Sequence, residues 1–165
     1  MFVLYSYSAD AQHKGTYLEI EAIEAHEIEA DAKLPEQVAM QSSASIYEYT
    51  RLSRSQGHAI FIEAQYLIAR RFPGFLDHDL HQSTTRILES HYCTSAKTGD
   101  IVNRMRGVHA DEARLLSLAI NHAGIELEQL IRDHAGTPLC FGRRLWRREL
   151  DEFTARAIAN GEDPA

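Results

Sequence analysis

The sequence predicts an α+β fold that is predominantly α-helical, with an N-terminal β-hairpin packed on a bundle of about five to six amphipathic helices. Three observations predict it. Period-two alternation is concentrated at the N-terminal end, apolar side chains recur at helical spacing from Met40 onward, and Gly and Pro stand between the helical stretches as stop signals. The 165 residues fit a single domain over residues 1–161, with 162–165 as a flexible tail.

Val3, Tyr5 and Tyr7 alternate with Phe2, Leu4 and Ser6, and this aromatic and β-branched content suits a strand. After a polar stretch from Ser8 to Gly15, Leu18, Ile20 and Ala22 alternate with Glu19 and Glu21, completing the hairpin. Residues 24–33 read as a helix ended by Pro35. Met40, Ala44 and Tyr47 continue at helical spacing. Residues 59–72 are apolar on nearly all sides and read as a central buried helix, with residues 59–63 as a strand the alternative. Pro73-Gly74 ends that element. Ser83 or Thr84 caps a helix carrying Ile87, Leu88 and Tyr92. Ala113, Leu116, Ile120 and Ala123 form one further stripe, and Leu127, Leu130, Ile131 and His134 form another, closed by Gly136 and Pro138. Residues 137–141 suit a short strand. Trp146, Leu150, Phe153 and Ala157 line a last helix that stops at Asn160-Gly161.

Composition narrows the function classes. With 44% hydrophobic and 25% charged residues the chain is not disordered as a whole. It lacks an apolar run long enough to span a bilayer, and its start lacks a basic leader, so a cytoplasmic protein without membrane contact is expected. Cys93 and Cys140 are too few for a disulfide framework. The net charge of −7 is carried by residues 1–50; residues 51–165 are neutral overall and hold every arginine. A global basic field for nucleic acid is therefore absent.

Two charged constellations stand out. Arg143, Arg144, Arg147 and Arg148 crowd the start of the last predicted helix around Trp146, with Arg104 and Arg106 as companions. Guanidinium groups bind phosphate or carboxylate in bidentate fashion, so this cluster is a candidate surface for nucleic acid or an acidic partner. Its bland counterpart is pairing of Arg147 with Asp151 and Arg148 with Glu152 at i,i+4, or with the acidic segment. Glu19, Glu21, Glu24, Glu27, Glu29 and Asp31 form a negative strip suited to a basic partner, or simply the solvent side of an edge strand.

Chemical motifs are sparse. His78, His81, His91 and Cys93 have ligand chemistry for zinc, but a helix over residues 83–96 points His91 and Cys93 about 200° apart, so no metal is assigned. Arg104 and His109 have the spacing of a metal-independent ribonuclease dyad. Arg51/His58, Arg71/His78 and Arg86/His91 share that spacing, where chance supplies about two such pairs, so it carries no assignment. No phosphate loop, nucleophile elbow or cofactor motif is present, which tells against an enzyme. The sequence thus reads as a non-enzymatic interaction protein, a small subunit, adaptor or inhibitor with a protein partner. A nucleic-acid-binding subunit is the first alternative, and a ribonuclease or zinc-dependent hydrolase the second.

Overall fold

The computed structural model describes residues 18–29 and 45–147. Among them, six strands form one antiparallel sheet in the order β1-β2-β3-β6-β5-β4. β1 (Glu19–Glu29), β2 (Ser45–Ser55) and β3 (His58–Ile68) follow one another across the sheet. Gln56 and Gly57 both take positive φ between β2 and β3, the geometry of a two-residue hairpin turn whose twist matches its strands. Two 3-10 turns, Ala69–Arg71 and Phe75–Asp77, lead to α1 (Thr84–Tyr92), where Ser83 accepts a hydrogen bond from the Arg86 amide as N-cap. β4 (Thr98–Gly107) is one edge of the sheet, α2 (Ala110–Leu116) follows it, and β5 (Ala123–Arg132) and β6 (Pro138–Arg147) return to its middle.

The two helices cover opposite faces. On one, Tyr49, Leu67, Ile131 and Cys140 pack under α1 through Ile87 and Leu88, with Phe72, Phe75 and Leu80 closing the cluster. On the other, Leu52, Ile62 and Leu145 meet Val108 and, on α2, Ala113 and Leu116. Beside α1's cluster, the rings of Phe61 and Trp146 meet tilted by 43°, 4.5 Å between centroids, on adjacent strands. Among the described residues no helix is long and apolar enough to cross a membrane.

The predicted helical bundle is not formed. Residues 59–72, expected as a buried helix, are mostly β3, in keeping with the strand alternative for residues 59–63. A central strand buried on both faces loses period-two alternation, and its continuous apolar run imitates a buried helix. The stripe from Leu127 to Ile131 belongs to β5 for the same reason. Residues 24–29, expected in a helix, are part of β1, and Tyr47 is in β2. The stripe through Ala113 and Leu116 is helical only to Leu116, where Ser117 takes the left-handed conformation. The last predicted helix is replaced through Arg147 by β6, which extends the strand expected at 137–141. The first hairpin strand, the 30–44 part of the next two helices, the remainder of the last helix and the tail lie outside the described residues.

Candidate functional site

A strand sends successive side chains to opposite faces, and this splits the arginine cluster. Arg144 lies on the α1 face, whereas Arg143 is on the α2 face with Arg104 and Arg106. Arg147 ends β6, and Arg148 lies outside the described residues. The helical phosphate-binding surface expected from these arginines is therefore not built.

On the α2 face a cleft of about 690 Å³ runs between α2 and the sheet, lined by Ala64, Tyr66, Arg104, Arg106, Glu126 and Arg143 among others. Its charges are matched within the cleft. The Arg106 guanidinium donates to Glu112 at 2.7 and 2.8 Å and to Glu126 at 2.7 Å. Arg104 donates to Glu128 at 3.2 and 3.3 Å, and Arg143 donates to the same carboxylate at 3.2 Å. Glu112 also accepts from the His109 amide, closing the first turn of α2. His109, the other half of the expected ribonuclease dyad, is exposed, and its neighbour on the helix is Glu112.

The α1 face carries a different arrangement. Arg51 on β2, Glu63 on β3 and Arg144 on β6 stand opposite one another on a single rung across three strands. The next rung holds Gln65 on β3, Gly142 on β6 and Gln129 on β5. Arg51 and Glu63 are each only 5% exposed. Glu63 accepts from Arg51 at 2.7 Å, from Arg144 at 3.0 Å and from Gln65 at 2.5 Å. Burial alone would raise the Glu63 carboxyl, but the two guanidinium groups and the Gln65 amide overcome it and hold the group down at about 2.

The backbone at the entrance to α1 completes the arrangement. Arg51 donates to the carbonyls of Leu80 and Gln82, at 2.9 and 2.6 Å, and Tyr49 hydrogen bonds Thr84 in the first turn of the helix. Burial pushes the Tyr49 hydroxyl well above its ordinary range and the Cys140 thiol up to about 12, so both stay neutral. Gly142 is required here by space. A Cβ on it would lie 2.7 Å from the Gln65 amide nitrogen, so only glycine lets Gln65 lie flat across β6.

This layer is not saturated. Arg51 Nε, Arg144 Nε and Nη1, Gln65 Oε1 and Gln129 Nε2 are buried with no hydrogen-bond partner among the described residues. Such groups cost about 1–3 kcal/mol each unless something satisfies them, and they occur where a ligand does so. Two cations share one carboxylate, so the layer presents net positive charge and three kinds of unfilled donor beside one unfilled acceptor.

Only Arg144 of the candidates drawn from the sequence belongs to this layer. Arg51 entered only through its spacing from His58, and Glu63, Gln65, Gln129 and Gly142 were not singled out. Glu63 carried a readable signal, since an acid in the middle of the most apolar run of the chain must find a buried cation. The acidic strip forms β1: Glu19, Glu21, Glu24, Glu27 and Glu29 are exposed along an edge of the sheet, Glu21 pairs with Arg54, and Glu27 accepts from Ser45. Asp31 lies outside the described residues. Of the zinc candidates, His78 stacks on His91 at 4.0 Å between ring centroids, His81 pairs with Asp79, and Cys93 caps the end of α1. Among the described residues no three metal-ligating side chains converge.

Comparison with known proteins is consistent with this architecture. The UTRA domain family matches residues 13–150. The full chain of PhnF from Mycobacterium smegmatis superposes with a TM-score of 0.81 at 20% identity, covering 88% of this chain and 65% of its own. This chain thus spans about two thirds of that protein's length. The isolated effector domain of the same PhnF superposes with a TM-score of 0.80, again at 20% identity, covering 87% of this chain and 89% of its own. A domain from Bordetella bronchiseptica, described as the ligand-binding domain of a regulator assigned to the GntR family, gives a TM-score of 0.70 at 14% identity, with 90% of each chain covered. No curated protein matches the chain in sequence. The family match overturns the expected adaptor or inhibitor and its nucleic-acid-binding and hydrolase alternatives. It agrees with a sheet that has dispersed the arginine cluster on which the first two rested.

Proposed function

The chain belongs to the UTRA domain family, and from that premise we propose that it is the effector-sensing module of a transcription regulator, taking a small anion on the α1 face of its sheet. The observation that carries the reading is the unsaturated polar layer of Arg51, Glu63, Gln65, Gln129 and Arg144. Arg144 keeps Nε and Nη1 on either side of the nitrogen that holds Glu63, and a charge-assisted bond from either suits an oxygen of a phosphate, sulfate or carboxylate. Gln129 Nε2 offers a further donor, and Gln65 Oε1 asks for a hydroxyl or amine on the same molecule. Such an effector is a compact polar anion with an adjacent hydrogen-bond donor. DNA contacts in such a regulator come from another domain, and the working compartment is the cytoplasm.

Because α1 begins where Arg51 grips the backbone of Leu80 and Gln82, an anion drawing on Arg51 or Arg144 acts on the segment that seats the helix. That gives the sensor a route from a bound molecule to a shift of a whole element. The test is thermal unfolding of the chain in rising inorganic phosphate, against sodium chloride at equal ionic strength. The expected result is a midpoint that climbs with the logarithm of phosphate concentration, and an Arg144→Gln variant that no longer responds to phosphate beyond chloride. Equal responses to the two salts, or an undiminished response in Arg144→Gln, would overturn the reading.

A further inference from the structure

The two glutamines of the α1 face are left with opposite needs. Gln65 on β3 and Gln129 on β5 share a rung, with Gly142 of β6 between them. Gln65 gives its amide N–H to the Glu63 carboxylate, which fixes the way round the amide lies and leaves Oε1 as a buried acceptor. Gln129 leaves Nε2 as a buried donor. Neither atom has a partner among the described residues, so the one bond that would satisfy both, from Gln129 to Gln65, is not made. A ligand ammonium serves Oε1 alone, because it has no lone pair to offer Gln129. An ionised acid oxygen serves Nε2 alone, because it has no hydrogen to offer Gln65. A hydroxyl serves both at once, donating its hydrogen and accepting on a lone pair.

The charge of the layer narrows the rest of the molecule. Arg51 and Arg144 bring two positive charges against the one negative charge of Glu63. Tyr49 and Cys140, the other titratable groups beside Arg51, stay neutral. One negative charge therefore closes the balance, whereas a dianion would bury an excess of its own sign. Arg144 and the glutamines stand on successive rungs of one face, about 6.7 Å apart along the strand, so the acid group and the hydroxyl are several bonds apart.

We propose that the effector is a hydroxy acid with a single carboxylate, which meets Arg144, and with a hydroxyl that bridges Gln65 Oε1 and Gln129 Nε2 across Gly142. Gln129 is then the specificity-determining residue: it selects the hydroxyl and is not needed to hold the anion. This assignment rests on the effector reading above, narrows it to one class of molecule, and is tested separately from it.

The test compares butyrate with β-hydroxybutyrate and γ-hydroxybutyrate, acids of one charge and one carbon count that differ in the hydroxyl. Each is titrated into the 165-residue chain at constant ionic strength, and its dissociation constant is taken from the rise of the thermal unfolding midpoint. The better hydroxy acid is expected to bind at least about tenfold more tightly than butyrate, because only it satisfies both amides. In Gln129→Leu that preference should vanish while the response to inorganic phosphate remains, and Arg144→Gln should lose the response to all three acids. If Gln129→Leu does not fold, Gln129→Met decides in its place, since it keeps the length of the side chain and removes its polar atoms. A water held between the two amides would leave the three acids equal. Equal binding in the parent chain, or a preference undiminished without Gln129, overturns the proposal. So does a chain that answers to phosphate and to none of the acids, and in each of these cases the anion site itself stands. A chain that answers neither to the acids nor to phosphate overturns the effector reading as well.

Discussion

On the α2 face, Arg104, Arg106 and Arg143 meet Glu112, Glu126 and Glu128, and each carboxylate is engaged by at least one guanidinium group. On the α1 face, Arg51 and Arg144 share the carboxylate of Glu63, and among the described residues guanidinium nitrogens and amide groups are left without partners in a buried layer. The same residue types therefore do different work a few ångströms apart. Matched charge at a half-open cleft makes a rigid wall whose members can stand in for one another. Unmatched charge under cover is what the proposed site rests on, since an anion could supply the partners that the layer lacks.

The sharpest way to break this comparison is to remove one carboxylate from each face. Glu63→Gln strands two buried cations on a single amide and should destabilise the chain by about 3–5 kcal/mol in urea unfolding. Glu126→Gln leaves Arg106 on Glu112 and Arg104 on Glu128, so its cost should be about 1 kcal/mol. Equal losses from the two variants would mean that the faces do not differ in the way described.

Acid makes the same distinction without mutation. The Glu63 carboxyl sits at about 2 in the folded chain against an ordinary value near 4.5, so its contribution is complete above pH 4.5 and lost as pH falls toward 2. That loss amounts to about 3 kcal/mol. Stability measured across this window should fall more steeply in the parent chain than in Glu63→Gln, since the variant has already lost the titrating group. Parallel curves would remove Glu63 as the source.

How much of this was legible in the sequence depends on the element. The helix start at Ser83 or Thr84, the stop at Gly136 and Pro138 and the strand character around Ile20 were readable because each rests on local chemistry. β3 and β6 were readable only in part, through the strand alternative at 59–63 and the short strand at 137–141, and β5 was not. Their apolar residues serve two buried faces, and the merged pattern of Ile60, Phe61, Ile62, Leu67 and Ile68 contains helical spacings by default. Misreading β6 as a helix then misread its arginines as one surface, when pleating had assigned Arg143 and Arg144 to different faces. The site was hidden for a further reason. Arg51, Glu63 and Arg144 come from three strands, and Gln65, Gly142 and Gln129 from three, so what unites each rung is register, which one sequence does not display.

Gly142→Ala tests register and site together at a smaller scale. The added methyl collides with the Gln65 amide, the far end of a flexible side chain, so the sheet survives while Gln65 turns away from Glu63. The expected cost is about 1 kcal/mol of stability. It should come with a reduced phosphate-dependent rise in the unfolding midpoint, although residue 142 itself offers a ligand no side chain. Loss of stability with an unchanged phosphate response would detach Gln65 from the site.

The smallest effect belongs to Arg104→Ala. Arg104 is half exposed, its two bonds to Glu128 are long, and Arg143 still holds that carboxylate when Arg104 is gone. An exposed pair with a substitute at hand contributes within about 0.5 kcal/mol, further reduced by salt. Urea unfolding at low and high ionic strength should place the variant within that margin of the parent, with an unchanged response to phosphate. A loss approaching that of Glu63→Gln would show instead that the α2 face is as dependent on each single charge as the α1 face, and the distinction between wall and site would not stand.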